Sequence, residues 1–190
     1  MQSLGGDQYW TQIDCPQQID EAKRLRAAGH HFVSLNLGFM SPEWWHGLSV
    51  VPYRGWVLRV SPEGDVEPWA HGFRSPCGLG FDAKGRLLAT DNQGDWMPSS
   101  PIFVVEKGGF HGHPNSLRWT EAFQSTEHIP DNREPPDVER VPAAIWIPYD
   151  WSRSTGNLVT DTTGGRFGPF EDQLFVAELT TGRVLRADIE

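Results

Sequence analysis

The sequence predicts an all-β chain, and three observations carry that prediction. Its 190 residues hold 20 Gly and 15 Pro, a density of chain-breaking residues that suits many short strands better than long helices. Between residues 56 and 114, four short apolar runs are each closed by a turn containing Gly or Asp. The tripeptide Val-Leu-Arg recurs at Val57 and Val184, roughly three periods of about 42 residues apart. Strand pairs repeating every 40 to 46 or so residues are the signature of propeller blades, each of about four strands. The chain is therefore expected to hold about four blades in one domain over residues 1–190, an open or partial β-propeller.

Each element follows from local pattern. Residues 17–28 (QQIDEAKRLRAA) have helical composition, with Ile19, Ala22 and Leu25 at helical spacing and Gly29 to stop them. Residues 31–39 alternate Val33, Leu35 and Leu37 against Phe32, Ser34 and Asn36, which reads as a strand with one apolar face. Residues 56–60 (WVLRV) run into Pro62-Glu63-Gly64-Asp65 and predict a hairpin. Residues 78–81 and 86–90 flank Asp82-Ala83-Lys84-Gly85 and predict another, with Gly85 able to supply the positive φ of a tight turn. Residues 101–105 form a further strand ended by Gly108 and Gly109. Residues 115–142 form an irregular surface excursion, because NREPPDVERVP is too rich in Pro and charge for a buried strand. Short strands follow at 143–149 and 157–161, then a hairpin at 173–179 and 183–189 about Thr180-Thr181-Gly182.

Composition narrows the partners. Sixteen Lys and Arg against 25 Asp and Glu leave a net charge of −9 with no basic cluster, which argues against nucleic acid and anionic membrane surfaces. Small neutral ligands fit better. Nine Trp serve either core packing or a sugar-stacking surface, and composition leaves both open. Cys15 and Cys77 lack CxxC or CxxCH spacing, so neither an attached c-type haem nor a structural zinc is expected, and a single disulfide stays open. No apolar run reaches the length of a membrane span. The N-terminal MQSLGGDQYW lacks the basic and apolar regions of an export signal, so the chain is either cytoplasmic or begins elsewhere.

Two loops carry candidate chemistry. Arg74 offers a planar guanidinium suited to a carboxylate, or to tying blade loops together through carbonyls. Asp91, Asn92, Gln93 and Asp95 form an oxygen-rich turn that reads either as a calcium loop or as an Asx turn holding its own backbone. His111 and His113, two apart on an expected strand, would face one side, a geometry for metal binding or for packing.

Residues 55–115 resemble the glucose and sorbosone dehydrogenase-like family of soluble sugar dehydrogenases. Gly55-Trp56-Val57-Leu58-Arg59 is similar to a blade-entering strand of that family. Gly72-Phe73-Arg74-Ser75-Pro76-Cys77-Gly78-Leu79 resembles its Gly-His-Arg-Asn-Pro-Gln-Gly-Leu loop. Thr90-Asp91-Asn92-Gln93-Gly94 takes the place of its Glu-His-Gly-Pro calcium loop, and Gly109-Phe110-His111-Gly112-His113-Pro114 resembles its Gly-Asn-Tyr-Gly-Trp-Pro. The segments DNQGDW, GHP, FGPF and QLFVAEL resemble a propeller branch found in large bacterial proteins with a separate haem domain.

The resemblance implies a six-bladed propeller using pyrroloquinoline quinone (PQQ) and calcium to oxidise an aldose or related alcohol. It also implies an exported location and further blades or a haem domain in a longer parent. On it, Arg74, Ser75 and Cys77 would contact the cofactor, and Asp91, Asn92, Gln93 and Asp95 the metal. The chain departs from the family where Phe73 replaces its histidine and where Ser75 and Cys77 replace its Asn and Gln. The family's basic histidine has its nearest counterparts in His30 and His31. Two readings stand beside the enzyme: a non-catalytic propeller that binds glycans or proteins, and an incomplete fragment without independent activity.

Overall fold

The computed structural model describes residues 8–11, 32–36, 51–124 and 137–190. Eleven strands in these residues form three sheets. The first has the order β1 (Gln8–Thr11), β2 (Phe32–Leu35), β3 (Trp56–Val60), β4 (Val66–His71), with β1 parallel to β2 and the others antiparallel. The second runs β5 (Gly78–Phe81), β6 (Leu87–Thr90), β7 (Ser100–Val104), β8 (Ile145–Ile147), all antiparallel. The third holds β9 (Thr155–Thr160), β10 (Leu174–Glu178) and β11 (Arg183–Ala187), also antiparallel. Small sheets stacked face to face, each built from strands in chain order, are β-propeller blades.

The predicted hairpins form for the reasons read from sequence. At the β5–β6 turn Gly85 takes φ +76, while Asp82 Oδ1 accepts from the amides of Lys84 (3.0 Å) and Arg86 (2.8 Å). Its second oxygen accepts from Arg86 Nε at 2.6 Å. At the β10–β11 turn, the buried Glu178 carboxylate accepts from the amides of Thr180 (3.0 Å) and Thr181 (2.6 Å). Burial pushes that carboxyl up, but the hydrogen bonds led by Thr181 outweigh it and hold it at about 2.

Packing between sheets explains the middle sheet's composition. Val57 and Ala70 of the first sheet meet Leu79, Leu87, Ala89 and Phe103 of the second. On its other side the second sheet sets Leu88, Ile102 and Ile147 against Leu158, Leu174 and Val176 of the third. Strand β6 is buried at every position, so Leu87-Leu88-Ala89 runs apolar without alternation. Each such aliphatic side chain contributes about 1.5 to 3 kcal/mol on burial. The inner strands β5 and β9 approach at Gly78, where a Cβ would stand 2.9 Å from the Gly156 carbonyl.

Two expectations are corrected. His111 and His113 do not sit on a strand: Phe110 forms only isolated bridges, to His71 and Arg140, and His113 caps the 3₁₀ helix Pro114–Trp119. The stretch from residue 115 therefore starts as ordered helix, continued by the α-helical turn Glu121–Gln124, because Pro at the first position fixes φ and His113 accepts from the Asn115 amide. The helix expected at 17–28, together with Cys15, His30 and His31, lies outside the described residues. No helix among the described residues is long and apolar enough to cross a membrane.

Candidate functional site

The site is built where the β4–β5 connection crosses the loop leaving β6. Gly72, at φ +92, lets the first of these pass so close to the 110–113 segment that a Cβ would stand 2.6 Å from the Gly112 amide. The His113 amide donates to the Gly72 carbonyl at 2.8 Å, which fixes the approach. Residues 74 and 75 then have amides with no strand partner, and Asp91 supplies one.

Asp91 is fully buried. Its Oδ2 accepts from the Arg74 amide at 2.8 Å, and its Oδ1 accepts from the amides of Ser75 and Asn92, each at 2.7 Å. Its carbonyl accepts from the Thr155 hydroxyl at 2.9 Å, which ties the start of β9 to the same loop. Burial pushes the carboxyl up to about 6, against the three amides and the Arg74 charge, which pull it down.

Arg74 extends from this clamp across the turn. Its guanidinium donates through Nη1 to the Gln93 carbonyl at 3.1 Å and lies against Gly94, where a Cβ would stand 2.6 Å from Nη2. Half-burial lowers its pKa, while Asp91 and then Asp95 act in the opposite sense. Behind it His113 is completely buried; desolvation and then the Arg74 charge hold it neutral, down to about 3.

Asn92 closes the arrangement. Its Nδ2 donates to the Ser75 carbonyl at 3.1 Å and to Cys77 Sγ at 3.2 Å. Cys77 is only 3% exposed, and burial pushes its thiol up to about 11. Phe73, where the family pattern has histidine, is fully buried and stacked on His111 with ring centroids 4.5 Å apart.

The structure thus brings Arg74, Ser75, Cys77, Asp91, Asn92 and Gln93 together, with Asp95 near Arg74. His30 and His31 lie outside the described residues. The guanidinium fits a carboxylate of an anionic cofactor. The turn does not fit calcium in this arrangement: both Asp91 oxygens accept backbone amides, and a hard cation needs such oxygens facing it. No group of three or more His, Cys, Asp or Glu placed to hold a metal occurs among the described residues.

Sequence reasoning missed several contributors. His71 is 7% exposed and stacks on Trp56 with ring centroids 4.7 Å apart; burial, then the nearby His111, lowers it to about 4. None of the three described histidines, His71, His111 and His113, is exposed enough to meet a substrate. Apart from this cluster, three aromatic rings on and after β8 are exposed, Trp146 on the Phe103 side of the second sheet and Trp151 on the Ile147 side. Trp146, Tyr149 and Trp151 are 40%, 46% and 59% exposed. The spacing of these rings in IWIPYDW was the available signal.

Comparison with known proteins supports the fold. No family model matches the chain, and no curated protein matches it. Among solved structures, the soluble aldose sugar dehydrogenase of Escherichia coli in its apo form aligns with 84% of this chain and 47% of its own, at TM-score 0.57 and 15% identity. A glucose dehydrogenase aligns with 84% of this chain and 46% of its own, at TM-score 0.57 and 17% identity. An oxidoreductase from Thermus thermophilus, described as a glucose dehydrogenase, covers 84% and 43% at TM-score 0.53 and 20% identity. The chain spans less than half the length of each. What is shared at these identities is the β-propeller fold.

Proposed function

We propose that this chain supplies the cofactor-facing loops of a sugar dehydrogenase-type propeller, with Arg74 receiving a carboxylate of an anionic quinone of the PQQ kind. The observation that supports it is the guanidinium laid on Gly94 and donating to the Gln93 carbonyl, while Asp91 fixes the Arg74 backbone amide. A side chain so placed has little freedom to lose on binding, and a guanidinium pairs with a carboxylate through two hydrogen bonds. The fold shared with solved sugar dehydrogenases and the loop motif at 72–79 point the same way.

When bound, the quinone supplies a two-electron acceptor for oxidising a sugar or alcohol carbon. This chain's part is to hold and orient it. Arg74 offers the anchoring charge, and Asp91 keeps the Arg74 and Ser75 backbone in place. Asn92 covers Cys77, which keeps the thiol out of reach of an electrophilic quinone. His30 and His31 stay the candidates for accepting the hydroxyl proton, since the described histidines are buried. Calcium has no role in this reading.

Titration of the protein with PQQ, followed by cofactor absorbance, tests the anchor. Wild type is expected to bind, and Arg74→Leu to lose at least tenfold in affinity, about 1.4 kcal/mol. Equal binding by both proteins sinks the assignment. Aldose turnover with an artificial acceptor then tests catalysis separately.

A second reading rests on the exposed rings of Tyr149 and Trp151, which follow β8. Flat aromatic faces cover the apolar sides of sugar rings, so a glycan-binding scaffold would use this segment. Tryptophan fluorescence against an oligosaccharide panel tests it, with Trp151→Ala as the control that must abolish the response.

A further inference from the structure

We infer that Arg140 is a second charged contact for the anion that Arg74 receives, so that this site takes a ligand with more than one acidic group. The inference rests on the reading of Arg74 as the quinone anchor. The two arginines come from different connections, yet each lays its guanidinium on a glycine. Arg74 lies on Gly94, and a Cβ at Gly112 would stand 2.6 Å from Arg140 Cζ. Backbone pairing sets that second contact: Arg140 bridges to Phe110, and the Val141 amide donates to the Phe110 carbonyl at 2.8 Å, just before Gly112 in the chain.

The turn at Gly94 brings the two charges to one side. Gly94 and Met97 are bridge partners, the Gly94 amide donating to the Met97 carbonyl at 2.7 Å and the Met97 amide to the Gly94 carbonyl at 3.0 Å. Cross-strand partners project to the same face, with Cβ positions about 5 Å apart. Arg74 occupies that face at Gly94, and Arg140 Nη2 donates to Met97 Sδ at 3.6 Å. One small molecule can therefore reach both guanidiniums.

Charge decides what kind of molecule. Partial desolvation lowers the pKa of both arginines, and the Asp91 charge opposes it at each, joined by Asp95 at Arg74. Both Asp91 oxygens, however, are engaged by the amides of Arg74, Ser75 and Asn92. Among the described residues Arg140 makes no ion pair. It meets the Met97 sulfur, a weak acceptor, and the Trp146 ring, with Cζ 5.2 Å from the centroid. The residue is exposed, so N–H donors are left for a ligand. Two guanidiniums gathered in a chain of net charge −9 repel each other and favour an anion that bridges them. A polycarboxylate quinone meets that demand, because each planar guanidinium pairs with one flat carboxylate.

PQQ titration of wild type, Arg140→Gln, Arg140→Lys and Arg74→Leu, in low salt and in about 1 M salt, tests it, with circular dichroism as the check on folding. Arg140→Gln keeps a donor and loses the charge; it is expected to bind at least about fivefold more weakly in low salt, and Arg140→Lys to recover most of that loss. In the high-salt arm, where charges are screened beyond about 3 Å, wild type and Arg140→Gln should converge. Binding by Arg140→Gln equal to wild type overturns the inference and leaves the reading of Arg74 standing. Equal losses in the Gln and Lys variants, or a loss that salt leaves unchanged, also overturn it, by showing that the side chain acts through its packing on Trp146 and Met97. Full binding by Arg74→Leu, or none by wild type, removes the Arg74 anchor and the second contact with it.

Discussion

The Arg74 guanidinium lies directly on Gly94, and nothing larger than hydrogen fits between them: a Cβ at residue 94 would stand 2.6 Å from Nη2. Gly94 also holds φ +151, a region that side-chain-bearing residues avoid. Gly94→Ala is therefore expected to cost about 1 to 3 kcal/mol, and to lift the guanidinium off the turn. Thermal unfolding checks the first effect and PQQ titration the second. An unchanged melting temperature would contradict the contact.

Asp91 is expected to matter for stability more than any polar residue around it. Asp91→Ala leaves the amides of Arg74, Ser75 and Asn92 without their acceptor, at a cost of roughly 3 to 5 kcal/mol. Asp91→Asn keeps one acceptor oxygen and should lose about half as much. Ser75→Ala keeps its amide and should change stability by less than about 0.5 kcal/mol. Denaturant unfolding of the three variants gives the order directly.

Acid should unfold this protein early. His71 and His113 titrate near 6.5 when unfolded but are lowered to about 4 and about 3 in the fold, and His111 is lowered too. The folded state thus binds fewer protons below pH 6.5, and stability falls as pH drops through that window. Asp91 acts with the opposite sign: raised from 3.8 to about 6, it costs stability as pH rises through that interval and returns it in acid. The two buried histidines outweigh one carboxyl, leaving a net loss of about 2 kcal/mol at pH 5 relative to pH 7. Melting temperatures across pH 4 to 7 or so should fall steadily as the solution is acidified, and a flat profile would refute the burial of this histidine group.

Cys77 should be inert in the native protein. The thiol is 3% exposed and pushed up to about 11, so little thiolate exists near neutral pH. Native alkylation followed by peptide mass spectrometry should leave Cys77 unmodified, whereas denatured protein should label fully. Native labelling would show that the Asn92 cover opens.

Much of this fold was legible in the sequence, for local reasons. Gly85 and the Asp82 carboxylate specify the β5–β6 hairpin within a few residues, and Leu174 to Glu178 alternates as a strand should. The parallel pairing of β1 with β2 was not legible, since its partners lie far apart in sequence. Nor was the cap at His113, because a spacing of two between histidines looks the same on a strand as at a helix entry. At the site, the proximity of Arg74 and Asp91 was readable from motif order. The direction of the Asp91 side chain was not: DNQGD is oxygen-rich whichever way it points, and only the unpaired amides of Arg74 and Ser75 turn it inward.

Thr155 opens the third sheet and spends its hydroxyl on the Asp91 carbonyl, two connections away from its own strand. Peeling β9 from its neighbours must therefore also release the loop that shelters the Arg74 and Ser75 amides. Those amides and the ladder protons of β9 should exchange with deuterium through one shared opening event, so the anchor is only as durable as the blade beside it.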